Sequence, residues 1–532
     1  MSSLTLQGGL LVDGTGAPAR PSDVKVTDGR IEALLSPGAR TNGPVLDVSG
    51  LVVSPGFIDM HAHSDLAVLH DPEHLAKTLQ GVTTEVCGQD GLSYAPASPS
   101  VMARMRQQLA GWNGDPDLDY DWDGVGGYLD RVDRGAAVNV AYLVPHGTVR
   151  LEVVGEEDRA ATPAEISRMQ GIIELGLAEG AVGLSAGLTY TPGMYAGDDE
   201  MVAMCEPLRR LGGYYCPHHR NYGSRVVEAY RECLDVAVRA QVPVHLAHCH
   251  VNFPQNRGRA AEVLAAVEEA TAGGADVSLD SYPYLAGATY LHALLPSWAQ
   301  SGGQEAVLRR LAIAEERSRI LHEIEVLGSD GHHGVPMDWT TIVVAGVGDA
   351  ELAPVVGRSI AEEAARRGAP AGQVYLGLLQ ADRLRSNCLV VVGNEENVQA
   401  VMRHRGHTVG SDGILVGDRP HPRGWGTFPH YLGHYVRDLG VLGLEECIAH
   451  MTGNAARRLG LTDRGCVQLG AKADLVVFDP RTIGSSASYV EPRRPPHGVL
   501  HVFVEGQATV RDGVRTTAVP GRSIRRQSRG KC

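Results

Sequence analysis

The chain has 532 residues and a formal net charge of −14 at pH 7, and 43% of its residues are hydrophobic and 21% charged. That length accommodates one large domain and a smaller one, and the composition is typical of a globular rather than a disordered protein. Basic residues are scattered along this acidic chain up to its last dozen positions, so we expect no nucleic-acid partner.

The N-terminal residues and the cysteines indicate the setting of the protein. The opening MSSLTLQGGLLVDG has no basic stretch before an apolar run, so we expect no secretory signal. No apolar run reaches the roughly 18 residues of a membrane span. The nine cysteines are scattered without CxxC spacing, which argues against a disulfide framework and a zinc ribbon. We therefore expect a reduced, cytoplasmic protein with no membrane partner.

The two ends of the chain share a β-rich pattern. Within residues 1–55, segments such as DVKVTDGRIEALL alternate apolar and polar positions between turn signals. The same pattern returns within residues 466–532, in ADLVVFDP and GVLHVFVEGQATVRDG. We expect these two segments to form one small β-sandwich domain.

Residues 56–465 alternate apolar runs with helical stretches, which predicts βα units and a parallel sheet. Eight runs are candidate strands: VVSPGFIDMHAH, VTTEVCG, NVAYLVPHG, AVGLSAGL, YYCPHHR, VPVHLAH, VSLDSYPY and HTVGSDG. The fold expected is therefore α/β, a (β/α)8 TIM-like barrel. The gap between Tyr284 and His407 is too long for one loop and helix, so we expect an insertion of about residues 285–400 between strands 7 and 8.

The first barrel run ends in His61-Ala62-His63. Residues i and i+2 of a strand share a face, so both imidazoles are expected to point into the barrel mouth. Two later runs also end in histidine, with His218 in YYCPHHRN and His248 in VPVHLAHCH. Each of these alone is readily explained as a hydrogen-bonded core histidine, but their shared position at strand ends favours a site for zinc or a similar divalent metal.

The eighth run ends in Gly410-Ser411-Asp412-Gly413. By itself SDG is typical of a turn, but here it faces the same barrel mouth as the histidines. A divalent metal lowers the pKa of a bound water towards neutrality, and a neighbouring carboxylate can pass the proton to a leaving group. Asp412 is therefore our candidate general acid–base.

Several phrases of the chain resemble the D-aminoacylase (N-acyl-D-amino-acid deacylase) family of the amidohydrolase superfamily. They include GFIDMHAHSD, GVTTEV, GLSAGLTYTPG, DSYPYLAG, HPRGWGTFPHYLG and MTGNAARRLGL, and the resemblance spans about Leu10 to Gly506. It implies a tight zinc position at His218 and His248. It also implies a second, weaker metal position at the HxH pair of the first strand, and a substrate-contacting role for Tyr282.

The sequence departs from the family pattern at the metal bridge. Where the family has a cysteine in a GNCG-like segment after strand two, this chain reads Gly88-Gln89-Asp90-Gly91. Asp90 occupies the cysteine position and Cys87 lies three residues earlier, so the resemblance leaves Asp90 or Cys87 as the ligand, with Asp90 favoured. A carboxylate bridges divalent ions as a harder ligand than a thiolate. None of the four lysines lies at a predicted strand end, so no carbamylated lysine is expected.

Two further departures concern the substrate carboxylate. His250 stands where the family often has lysine, and Ala288 stands where it has serine. Arg220 and Arg423 are the candidate replacements for the missing cation. Because neutral imidazole and alanine supply a weaker anchor than lysine and serine, we expect poor activity on ordinary N-acyl-D-amino acids.

Taken together, the residues and the resemblance predict a zinc-dependent hydrolase of a carbon–nitrogen bond in a small-molecule amide. The metal-activated water would attack the carbonyl, and Asp412 would carry the proton. Alternatives are a cyclic amidohydrolase or a pathway-specific enzyme acting on an unusual amide. A catalytically silent scaffold is a further alternative, against which the four histidines and Asp412 argue.

Overall fold

Eight parallel strands form the central sheet of the computed structural model, which describes residues 3–526. Each strand pairs with its neighbour in chain order, and we label them β1 to β8. They are Phe57–Asp59, Val82–Cys87, Asn139–Pro145, Gly183–Gly187, Tyr214–His218, Val244–Leu246, Val277–Ser281 and His407–Val409. Just beyond the end of β1, the N–H of Met60 donates to the carbonyl of Val409 at the end of β8 (3.0 Å), which draws the sheet into a barrel. The predicted barrel is confirmed, and each of the eight predicted runs contains one strand of the barrel.

Helices connect the strands around the outside of the barrel. The helix Pro163–Ala178 shows why these segments are helical: Thr162 and Glu165 form a capping box at its start. Its buried residues recur at helical spacing, so one face packs against the barrel. The helices of this layer are Ala67–His70, Leu75–Thr78, Pro99–Gln108, Ala110–Asn113, Val125–Val132, His146–Val153, Pro163–Ala178, Asp198–Leu211, Val226–Ala240, Ala260–Ala272, Glu395–Met402, Arg423–His430, Leu444–Met451 and Gly453–Leu459.

The terminal segments build two further sheets. The four-stranded sheet contains Ser3–Gln7, Asp23–Thr27, Arg30–Leu35 and Val45–Asp47. The seven-stranded sheet contains Leu10–Leu11, Arg20–Pro21, Val52–Pro55, Leu475–Phe478, Val499–Val504, Gln507–Arg511 and Val514–Arg515. Apolar side chains from both ends of the chain, among them Leu6, Val53 and Phe503, share one buried cluster between the sheets. This is the sandwich expected from the sequence; residues 527–532 of the expected second segment lie outside the described residues.

The insertion between β7 and β8 folds around its own core. Its three antiparallel strands are Ala286–Tyr290, Ile342–Gly346 and Asn387–Val391. Its helices are Ser297–Gln300, Gly303–Leu311, Ala314–His322, Ile360–Arg367 and Ala371–Ala381. Buried residues such as Leu311, Ile342 and Tyr375 form a separate apolar cluster. The insertion thus stands as a small α/β unit beside the barrel mouth.

No helix within residues 3–526 is long and apolar enough to cross a membrane. The eight cysteines in the same part of the chain all have free thiols.

A buried ion pair joins the first and last strands just below the barrel mouth. The ammonium of Lys77 donates to Asp59 Oδ2 (2.6 Å) and to the hydroxyl of Ser411 (2.9 Å), and both charged side chains are fully buried. The other oxygen of Asp59 accepts from the backbone N–H of Ser411 (2.8 Å) and of His61 (3.2 Å). Because a buried charge is tolerated only when it is paired and hydrogen-bonded, this arrangement fixes the segments that carry the HxH and SDG sequences.

Candidate metal centre and active site

Six of the residues selected from the sequence as metal-facing or catalytic lie at or just after strand ends on one face of the barrel. His61 and His63 follow β1, Asp90 follows β2, and His218 is the last residue of β5. His248 and Asp412 also belong to this group, following β6 and β8. All six side chains are buried, none with more than 6% of its surface exposed.

Asp90 stands at the centre of this group. Its Oδ1 lies 3.5 Å from His61 Nε2 and 3.3 Å from His248 Nε2. Its Oδ2 lies 3.5 Å from His63 Nε2 and 3.3 Å from His218 Nδ1. One carboxylate therefore faces four imidazoles, and it divides them into two sets of possible metal ligands that share Asp90.

The two sets differ in composition. Asp90, His218 and His248 form one, and Asp90 with the HxH histidines and Asp412 forms the other; within each set the ligand atoms lie within 4.8 Å of one another. In the described residues, Asp90 Oδ1, His218 Nδ1 and His61 Nε2 are buried and have no hydrogen-bond partner. Buried polar atoms are seldom left unpaired, and imidazole with carboxylate is a ligand combination that suits zinc, so these residues fit a divalent metal.

The backbone at the site adopts conformations that side chains normally avoid. Asp90, His248 and Asp412 have φ angles of +55°, +29° and +48°. A Cβ on Gly187, the last residue of β4, would lie 2.0 Å from the carbonyl oxygen of Asp90, so only glycine lets the Asp90 loop enter the mouth. Strained conformations of non-glycine residues cluster at functional sites because the surrounding structure must hold them there.

The pKa values of His218 and His61 are shifted in opposite directions. Burial lowers the pKa of His218 to about 4, although Asp90 acts to raise it. His218 is therefore neutral at pH 7, which is the form that binds a metal. Burial would also lower the pKa of His61, but the charge of Asp90 raises it well above its ordinary value. A metal at His61 must displace a proton, whereas one at His218 need not, which agrees with a tighter position beside His218.

Asp412 lies between the HxH pair and an arginine. Its Oδ1 is 3.2 Å from His63 Nε2, and its Oδ2 is 2.9 Å from Arg423 Nη1. Burial would raise the pKa of Asp412, but the charge of Arg423 holds it below the usual range. The Arg423 guanidinium in turn lies over the ring of Tyr282, 4.4 Å from its centroid.

A cavity opens above these residues. Four metal-facing side chains and Asp412 form its floor, and its walls are largely aromatic and apolar. Arg423 is the only lysine or arginine that lines it among residues 3–526. The aromatic side chains of the walls are Trp112, Tyr190, Tyr222, Phe253 and Tyr282, and the insertion contributes Thr289, Leu294, His332, His333 and Val390.

The structure corrects one substrate-site prediction and qualifies another. Arg220 does not line the cavity: its guanidinium pairs with Glu232 (2.7 Å) and with two backbone carbonyls, so it is already engaged elsewhere. His250 lies behind Tyr282, stacked on its ring at 4.0 Å, and burial lowers its pKa to about 3. A neutral, covered imidazole is a poor replacement for a lysine. Ala288 lines the cavity and offers no side-chain donor.

Cys87 lies apart from the candidate ligands. Its thiol is fully buried at the end of β2, within the apolar cluster between the barrel and its outer helices. Burial raises the pKa of this thiol well above its ordinary value. Because the thiolate is the form that binds a metal, the surroundings of Cys87 disfavour ligation.

Three residues that were not predicted from the sequence hold the histidines in place. Thr189 Oγ1 lies 2.7 Å from His218 Nε2, and the hydroxyl of Tyr222 lies 2.7 Å from His248 Nδ1. Asp280 on β7 is 2.9 Å from His245 and also accepts from the backbone N–H of His248 (3.0 Å). The only signal in the sequence was a carboxylate inside an apolar strand at Asp280 and hydroxyl residues just after strand ends.

Comparisons with known proteins agree with this architecture. A model of the amidohydrolase family matches residues 44–510. D-aminoacylase from Alcaligenes xylosoxydans xylosoxydans is 36% identical over 524 residues, which is 98% of this chain and 97% of that protein. The crystal structure of N-acyl-D-glutamate deacylase from Bordetella bronchiseptica, in complex with zinc and a phosphonate inhibitor, has a TM-score of 0.83 and 31% identity, covering 98% and 99% of the two chains. A structure of D-aminoacylase that addresses its binuclear metal centre has a TM-score of 0.81 and 35% identity over the same shares.

We expect His248→Ala and Asp90→Ala to lose the tightly bound metal, because each removes a ligand from the set that contains His218. Cys87→Ser is the matched control and should keep it, since the thiol lies outside both sets. Metal content of each desalted protein, measured by mass spectrometry after loading with zinc, checks this. Wild-type zinc content in His248→Ala, or loss of zinc in Cys87→Ser, would contradict the assignment.

Proposed function

The chain belongs to the amidohydrolase family and is a close homologue of the D-aminoacylases, and from that premise we propose that it uses zinc to hydrolyse the amide of a small N-acylated amine. The single observation that carries the proposal is the buried Asp90 carboxylate facing four imidazoles, with Asp412 beside them. A catalytically silent protein has no use for such a set of unpaired polar atoms, because burying them without a ligand costs stability.

We propose one tight metal position and a second, weaker one. Asp90, His218 and His248 would hold the tight zinc, and the HxH pair with Asp90 would hold a second, weaker divalent metal. The support is the neutral state of His218 and the raised pKa of His61. Solved relatives contain zinc in one case and a binuclear centre in another. When bound, the metal supplies a Lewis acid and a water that is deprotonated near neutral pH.

The chain's own residues supply the proton transfer. Asp412 would take the proton of the attacking water and return it to the amine nitrogen as the carbon–nitrogen bond breaks. Its pairing with Arg423 at 2.9 Å keeps its carboxylate ionised and directed at the cavity. The aromatic walls limit the access of bulk water, which strengthens electrostatic interactions within the site.

The charge of the cavity limits the charge of the substrates that it can bind. Arg423 is the one lysine or arginine among the described lining residues. One nitrogen of its guanidinium already pairs with Asp412. His250 and Ala288 add no charged donor. We therefore propose a substrate with no more than one carboxylate, held by Arg423 and Tyr282, and a weak contribution of that carboxylate to binding.

Asp412→Asn should lower turnover by about 10²–10⁴-fold while leaving the zinc content unchanged, because the amide keeps the shape but cannot exchange the proton. Asp418→Asn, on the exposed part of the same loop, is the control and should retain full activity. The measurement is kcat on the best substrate from a zinc-loaded screen of N-acyl-D-amino acids, N-acyl amines and cyclic amides. Near-normal kcat in Asp412→Asn removes this residue from the mechanism, and no turnover of any amide by the wild type contradicts the proposed function.

N-acetyl-D-methionine and its carboxamide should differ in kcat/KM by less than about tenfold, since the only cation available to the free carboxylate is shared with Asp412. N-acetyl-D-glutamate, with a second carboxylate and no second cation to meet it, should be the poorest of the three. Steady-state kinetics on the zinc-loaded protein measures all three values. A much higher kcat/KM for the free acid than for the carboxamide would show that the site binds the carboxylate strongly, which would contradict this prediction.

A further inference from the structure

Two hydroxyl groups line the cavity directly behind the paired histidines of the tight metal position. Thr189 Oγ1 lies 2.7 Å from His218 Nε2, and the Tyr222 hydroxyl lies 2.7 Å from His248 Nδ1. Both side chains are buried, with 8% and 7% of their surfaces exposed, and both line the cavity. The proton transfer described above uses neither hydroxyl.

The direction of these hydrogen bonds follows from which nitrogen faces Asp90. His218 presents Nδ1 and His248 presents Nε2 to that carboxylate, each at 3.3 Å. A ring nitrogen that binds a metal must offer its lone pair, so in a neutral imidazole the opposite nitrogen carries the hydrogen. In the metal-loaded protein His218 Nε2 and His248 Nδ1 therefore donate, and the two hydroxyl oxygens accept.

In that arrangement the hydrogen of each hydroxyl is still available for a further hydrogen bond. Among residues 3–526, no other polar atom hydrogen-bonds with either hydroxyl oxygen. The ordinary pKa of a phenol is about 10, so Tyr222 keeps its hydrogen at neutral pH. A buried donor without an acceptor is costly, and the open space next to both groups is the cavity. Each hydroxyl is thus an acceptor on its histidine side and a free donor on its cavity side.

We propose that Thr189 and Tyr222 each serve two purposes: they fix the metal-binding tautomers of His218 and His248, and they donate hydrogen bonds to the amide oxygen of the substrate. The second part rests on the proposed function, because the amide oxygen is the acceptor that hydrolysis brings beside these histidines. Negative charge grows on that oxygen as the tetrahedral intermediate forms, and two fixed donors next to it stabilise that charge more than they stabilise the starting amide.

The tautomer role is tested on metal binding alone. Metal-free protein is titrated with Co²⁺ against a competing chelator, and its visible absorption reports occupancy. Thr189→Val and Tyr222→Phe should weaken affinity by about 10–100-fold, as loss of a partner behind a metal ligand typically does. Thr189→Ser restores a hydroxyl and should match the wild type, and Tyr120→Phe, remote from the cavity, controls for loss of a phenol. Wild-type affinity in both Thr189→Val and Tyr222→Phe overturns this role.

The donor role is tested on a ligand that needs no turnover. The probe is the phosphonate analogue of N-acetyl-D-methionine, whose tetrahedral phosphorus carries oxygens like those of the intermediate. Calorimetry at saturating zinc should show about tenfold or weaker binding to Thr189→Val and Tyr222→Phe, and kcat/KM should fall in parallel. Wild-type affinity for the phosphonate in both variants overturns the donor role. If instead the wild type neither binds the phosphonate nor hydrolyses any amide, the proposed function and the donor role fail together, while the Co²⁺ titration still decides the tautomer role.

Discussion

The site depends on one buried carboxylate. Asp90 lies 3.3–3.5 Å from four imidazole nitrogens, and all five residues are buried. An ionised carboxylate in such a place is stable only if positive charge and hydrogen-bond donors surround it. Burial would raise its pKa, yet His218, His248 and His61 hold it well below the usual range. A divalent metal bound by these residues would supply the positive charge that this buried carboxylate needs.

The barrel brings the residues of this site together from distant parts of the chain, and the insertion lies beside them. The Lys77–Asp59 pair fixes the segments after β1 and β8, so that the HxH histidines and Asp412 face each other. The insertion supplies one wall of the cavity through residues such as Leu294 and His332. Strain in the backbone at Asp90, His248 and Asp412 is the cost of directing three side chains inwards from loops.

The fold and the centre of the site were predictable because both follow from position along the chain. Apolar runs separated by helical stretches predict the barrel, and polar residues at the ends of those runs indicate the residues that meet at its mouth. Contacts that depend on where loops travel were not predictable. Arg220, a candidate for the substrate site, lies outside the cavity because Glu232 and two backbone carbonyls hold its guanidinium there. Thr189 and Tyr222 were missed because a hydroxyl gives no pattern in sequence until its partner histidine is located in space.

The central claim is that the metal site has a carboxylate ligand and no thiolate ligand. X-ray absorption at the zinc edge of the protein loaded with one equivalent of zinc tests it most directly. The account predicts a shell of nitrogen and oxygen atoms at about 2.0–2.2 Å and no heavier neighbour. Loss of the tight zinc in Asp90→Ala would then attribute the oxygen to that residue. A sulfur atom at about 2.3 Å from the zinc, which would come from a cysteine such as Cys87, would contradict the account.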